Sequence, residues 1–213
     1  MIAAIFDIDG TLVESSDFDG DCYFSAIRNV LGEVYIHDNY DKYKNVTDTG
    51  ILRQIMEENK IQEKRQVEEV RTKFGELVRQ YFQNGGKCHP KAGAITIIDK
   101  LLTAHYYAVG LATGGWGHTA KMKLRHAGFN LTNTVLTSSD DNEERVAIME
   151  KCLSVLGYCF QHIVYVGDAE WDMQATQKLG WHFIGVGTRL KGKCEFWVED
   201  FSNHDTFMKM LHA

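Results

Sequence analysis

A single proline, Pro90, interrupts 213 residues, and no Pro- or Ser-rich linker, internal repeat or low-complexity tract divides them. Nothing in the composition separates independent domains, and a chain of this length holds one sizeable core, or a core with a smaller domain inserted into it. No apolar run is long enough to cross a bilayer. The apolar opening, Met1 to Phe6, has no basic flank and runs directly into Asp7, too short for a secretory signal, so the expected location is cytoplasmic. Basic residues are outnumbered, 23 Lys and Arg against 29 Asp and Glu. The chain therefore has no overall attraction to nucleic acid or to an anionic membrane, and an anionic ligand has to be met by local charge. Five scattered cysteines show no CxxC spacing and are expected to be reduced thiols, and nine histidines form no HExxH.

What is present is alternation. After the opening strand, residues about 17 to 31 and 47 to 59 read as helices, and "VEEVRTKFGELVRQYF" sets Val67, Val70, Phe74, Leu77, Val78 and Tyr81 at three- and four-residue steps along one helical face. "QNGGKCHPKAG" (83–93) ends this block. From there strands and helices take turns: helix near 91–104, strand 106–113, helix 117–127, strand 134–138, helix 143–156, strand 162–168, helix 171–179 and strand 182–187. Apolar strands spaced by helices predict an α/β fold, a three-layer doubly wound parallel sheet. Ligands bind beyond the carboxyl ends of such strands, where Asp7, Asp9, Thr113 and Asp168 all fall.

Four stretches carry chemistry. "DIDGT" puts two carboxylates, Asp7 and Asp9, at the end of a buried strand, where ionised groups are costly unless a cation or a reaction needs them. "GLATGGWG" passes from a strand ending on Thr113 through glycines into a helix, a natural cradle for phosphate oxygens; no GxGxxG or P-loop pattern follows. "VGDAEWD" spaces Asp168 and Asp172 so that both reach one hard cation, Mg²⁺ by its preference for oxygen; a plain helix start is the other reading. "SSDDNEERVAIMEK" places Arg145 in a first helical turn against the helix dipole, which asks for an anionic partner, either a ligand or a nearby Asp140, Asp141 or Glu144.

In this order, with a helical insertion after the first, these stretches resemble the haloacid dehalogenase-like hydrolase superfamily, in the branch of phosphoglycolate phosphatase and β-phosphoglucomutase. The resemblance implies a core of residues 1–14 and 85–213 and a helical cap of 15–84. It also implies a Mg²⁺-dependent phosphomonoesterase for a small phosphorylated metabolite. Asp7 would be the nucleophile that forms an aspartyl-phosphate, and Asp9 the acid and base. Thr113, Gly114 and Arg145 would hold the phosphoryl oxygens. Asp7, Asp9, Asp168 and Asp172 would hold the metal. Arg145 stands where that family has lysine, commonly before a proline; Lys121 and Lys123 are rivals, early in the chain for the role. A phosphomutase and a non-catalytic phospho-ligand binder remain alternatives. No nucleic-acid or membrane partner is expected, and the chain is expected as a monomer or weak dimer. Trp116 is read either as a substrate contact at the phosphate corner or as a cover for the sheet edge.

Overall fold

The opening strand β1 (Ile2–Phe6) is buried along its whole length. In the computed structural model, which describes residues 1–132, 134–157 and 159–213, it lies between β4 (Tyr107–Ala112) and β6 (His162–Gly167). β5 (Val135–Thr137) lies beyond β4, and β7 (His182–Val186) and β8 (Trp197–Val198) lie beyond β6. The order is β5-β4-β1-β6-β7-β8, with every pair parallel. A strand buried on both faces is apolar at every position, which is why IAAIF shows no alternation.

Ile2, Ala4 and Phe6 turn to one face. They share an apolar cluster with Ile97 and Leu101 of α4 (Ala94–Thr103), Ala120 and Leu124 of α5 (Gly117–His126) and Phe207 of α8 (His204–Met210). Ile5 turns to the other, against Ile148, Met149 and Cys152 of α6 (Arg145–Leu156) and Ala175 of α7 (Glu170–Leu179). Each large side chain buried in this way contributes about 1.5–3 kcal/mol.

Helices α1 (Ser16–Leu31), α2 (Asp48–Glu58) and α3 (Lys64–Gln83) lie between β2 (Val13–Glu14) and β3 (His89–Pro90), which pair antiparallel where the chain leaves the sheet and returns. The only proline thus sits in a two-residue edge strand, where a missing N–H is tolerated. Along α3, Val70, Phe74 and Val78 are buried and Val67, Leu77 and Tyr81 pack at the margin of the same cluster, the face the periodicity predicts. Phe18 of α1 stacks on Tyr81 at 4.2 Å between ring centroids. This apolar cluster is continuous with the one beneath the sheet.

Besides the short β2 and β3, two elements near the end of the chain go beyond the sequence reading. β8 is two residues long, too short for a period, and α8 is capped by Asn203, whose side chain accepts from Thr206 N at 3.0 Å. α8 brings Phe207 against Phe6 and Phe201, with ring centroids 6.1 and 5.0 Å away.

Candidate active site

The parallel register carries Asp7, Thr113 and Asp168 to neighbouring positions on one rim of the sheet. Asp7 N still donates to Val166 O at 2.9 Å, and Thr113 N to Thr137 O at 3.1 Å, so each functional side chain leaves the last rung of a rigid ladder. The chain then turns at Gly10 with φ +83°, and a Cβ there would run into the Asp168 carboxylate. Glycine is required twice over, for the dihedral and for the approach.

Asp7, Asp168 and Asp172 each offer an oxygen, and these atoms lie within 4.8 Å of one another. Burial and then Asp172, Asp168 and Asp9 push the Asp7 carboxyl well above its usual range, against the pull of Arg145. Burial and then Asp172 push Asp168 up to about 7. Asp172 is raised by burial, and Arg145 and the Ala169 N–H oppose the rise. Its Oδ2 accepts from Ala169 N at 3.1 Å and its Oδ1 from Arg145 Nη1 at 2.8 Å. Arg145 Nη1 also reaches Asp7 Oδ1 at 3.4 Å, and Nη2 donates to Val46 O at 3.0 Å. Its partners are therefore the site carboxylates, not Asp140, Asp141 or Glu144. Asp7 and Asp172 are buried and Asp168 is partly buried, with Arg145 on the first two and Arg189 on the third; two guanidiniums do not fully balance three carboxylates, and an all-oxygen donor set of this kind suits a hard divalent cation.

Thr113 is buried; its Oγ1 accepts from Gly115 N at 3.0 Å, which leaves its hydroxyl proton to donate. Gly114 packs so closely under the Arg145 guanidinium and Val46 O that a side chain has no room.

Asp9 has its own set of partners, distinct from those of Asp172. Its Oδ1 accepts from Ser15 Oγ at 2.5 Å and meets Lys123 Nζ at 2.6 Å. Lys123 also meets Asp19 Oδ1 at 2.6 Å and is 1% exposed. Burial disfavours its ammonium, but Asp19 and Asp9 outweigh that and raise its pKa. Asp19 itself is pushed up to about 6 by burial, against Lys123. Asp48 Oδ2 accepts from Trp116 N at 2.7 Å, and burial followed by Asp19 pushes Asp48 up to about 8.

Trp116 does not contact the cleft. It is 2% exposed, donates from Nε1 to Thr49 Oγ1 at 2.9 Å, and lies 5.7 and 6.0 Å from the rings of Tyr23 and Phe74. This corrects the substrate-contact reading: an indole between α1, α3 and the start of α5 is a packing residue. Lys121 is exposed, and Lys123, its nearest rival for the phosphate-binding cation, is committed to Asp9 and Asp19.

Sequence reasoning missed Ser15, Asp19, Asp48, Trp171 and Arg189, which all line the same cleft of about 240 Å³ as Asp7, Asp9 and Thr113. Arg189 lies 5.4 Å over the Trp171 ring and 3.5 Å from Asp168 Oδ2, and Tyr40 faces Trp171 across 6.1 Å. Lys123 carried a legible signal: it shares the buried face of α5 with Thr119, Ala120 and Leu124, where a charge needs a partner.

The sequence model of haloacid dehalogenase-like hydrolase matches residues 4–186. No sequence among curated proteins matches significantly. In three dimensions the chain is similar to a β-phosphoglucomutase from Clostridium difficile, with TM-score 0.75 and 18% identity over 100% of this chain and 98% of that one. It is similar also to a predicted phosphoglycolate phosphatase from Haemophilus somnus, with TM-score 0.66 and 17% identity over 97% of each chain. A third similar structure is CbbY from Rhodobacter sphaeroides in complex with phosphate, with TM-score 0.69 and 15% identity over 94% and 95%.

Proposed function

Since the chain belongs to the haloacid dehalogenase-like hydrolase family, we propose that it is a Mg²⁺-dependent phosphomonoesterase that acts on a small phosphorylated metabolite by way of a phosphoryl group carried on Asp7. The observation that carries this reading is the convergence of Asp7, Asp168 and Asp172 within 4.8 Å, beside Thr113 and Arg145 on one rim of the sheet. Asp7, the Asp9 main-chain carbonyl and Asp168 would hold Mg²⁺, with Asp172 in support. When bound, the ion offsets the repulsion between a carboxylate nucleophile and a phosphate dianion.

The protein's own groups divide the remaining work. An Asp7 oxygen forms a bond to phosphorus while the ester P–O bond breaks, and Asp9 gives its proton to the leaving oxygen. Asp9, now ionised, takes a proton from water; the hydroxyl attacks phosphorus, the bond to Asp7 breaks, and phosphate and the free Asp7 carboxylate result. The Thr113 hydroxyl, the Gly114 N–H and Arg145 hold the equatorial oxygens where charge accumulates. Residues 15–84 act as the cap over a core of 1–14 and 85–213, and Tyr40, Asp48 and Ile51 from that segment wall the cleft. Selection of the leaving group falls to them, because the strand-end residues meet only the phosphoryl group.

A panel of phosphate esters tests the reading, assayed with Mg²⁺ and with a chelator and scored for released phosphate and for isomerised sugar phosphate. Release that depends on Mg²⁺ and disappears in Asp7→Asn is expected. Isomerised product without net release would make the protein a phosphomutase, and no turnover of any ester would overturn the enzymatic reading.

A further inference from the structure

The leaving-group side of the cleft holds a fully enclosed cation that the chemistry described above does not use. Lys123 Nζ lies 2.6 Å from both Asp9 Oδ1 and Asp19 Oδ1. It reaches them from α5, whose other buried positions are small, apolar or hydroxyl-bearing. An apolar residue at this position would avoid the desolvation cost of a buried ion pair, several kcal/mol per ion, so stability alone does not account for an ammonium here. What the ammonium does account for is the direction of Asp9. Ser15, the residue just before α1, makes no side-chain cap to that helix and turns its hydroxyl to the same Oδ1 instead, at 2.5 Å. With Oδ1 held by two donors, Oδ2 is left over Gly115: a Cβ built there would stand 3.5 Å from it and 3.5 Å from Thr113 Oγ1. The free oxygen thus faces the corner where the phosphoryl group is held.

We propose that Lys123 is a positioning residue for Asp9, anchoring Oδ1 against Ser15 and Asp19 so that Oδ2 alone is presented to the leaving oxygen. The proposal rests on the phosphomonoesterase reading for its chemistry, and on the geometry for its assignment. The burial and the two ion pairs make it specific to Lys123; Lys121, two residues earlier on the exposed face of α5, has no such role.

The test compares the wild type with Lys123→Met and with Lys123→Met/Asp19→Asn, the second of which leaves no unpaired buried carboxylate at position 19 and changes only the anchoring of Asp9. Each is assayed with Mg²⁺ on an alkyl phosphate, whose departing alkoxide needs a proton, and on an aryl phosphate, whose phenolate does not. A misplaced acid lowers kcat on the alkyl ester about 100-fold, with a far smaller loss on the aryl ester and little change in KM. A crystal structure of the double variant should show the Asp9 carboxylate rotated, with Oδ2 no longer over Gly115. Equal losses on both esters, or an unmoved Asp9 carboxylate in that structure, would overturn the proposal. If the wild type turns over neither ester, the phosphomonoesterase reading fails, and the orientation of Asp9 in the double variant still decides the role of Lys123.

Discussion

Arg145 Nη1 lies 2.8 Å from Asp172 Oδ1, a carboxylate that is wholly buried, and the same nitrogen reaches Asp7 Oδ1 at 3.4 Å. One guanidinium thus steadies the acid that caps α7 and stands beside the proposed nucleophile. The pairing explains how a basic residue is stable in a first helical turn, against the dipole: charge-assisted hydrogen bonds to two carboxylates outweigh an unfavourable term of about 0.3–1 kcal/mol.

Arg145→Ala should lower kcat by about 10²–10³, the range for removing a donor that strengthens its hold as charge spreads over the phosphoryl oxygens. It also strips Asp172 of its ion-pair partner, so the variant should melt earlier without Mg²⁺ and recover part of the loss when Mg²⁺ is added. Lys121→Ala should leave both kcat and melting temperature as they are. Steady-state kinetics and thermal melts of the two variants check this, and normal turnover in Arg145→Ala would remove Arg145 from the phosphoryl site.

Metal-free stability should fall as pH rises. Asp48 is held up to about 8 and Asp168 to about 7, chiefly by burial, against an ordinary value near 3.8. Between those limits the folded chain keeps protons that the unfolded chain has shed. The contribution is therefore complete below about pH 4 and is lost as pH passes through 7 to 8. Melting temperature without Mg²⁺ should decline from about pH 5 to about pH 8, more gently in Asp48→Asn. Mg²⁺ needs ionised ligands, so its stabilising effect should be larger at the upper end. A metal-free profile that rises over this range would contradict the burial argument.

Trp116→Ala should cost about 3–5 kcal/mol, the usual range for deleting a large buried aromatic, and should lower activity on all esters alike. A changed ranking of esters by kcat/KM with an unchanged melting temperature would return Trp116 to the substrate.

These outcomes separate what the sequence discloses from what only the fold discloses. Asp7, Thr113 and Asp168 are legible because a buried strand that ends in a polar residue advertises its rim, and a parallel sheet lines its rims up. Arg145 is legible as a cation placed against a dipole, though not its partners, Asp7 and Asp172. Trp116 is misleading because its neighbours, Thr49, Tyr23 and Phe74, come from helices whose packing no local pattern specifies. The same holds for Asp19 and Asp48: each is an ordinary helix-start acid in sequence, and each becomes a buried, perturbed group only when α1 and α2 close against the sheet. β8 and α8 escape because two residues carry no period and a seven-residue helix carries little.

The claim on which the rest depends is that Asp7 carries the phosphoryl group. Asp9→Asn protein, mixed with an aryl phosphate and Mg²⁺, quenched in acid and digested for mass spectrometry, tests it most directly, because the variant keeps the nucleophile and loses the base that clears the intermediate. The account predicts one phosphoryl group on the peptide that contains Asp7. Phosphate release with no modified peptide at any quench time, in the variant or the wild type, or a phosphoryl group found on another residue, would contradict it.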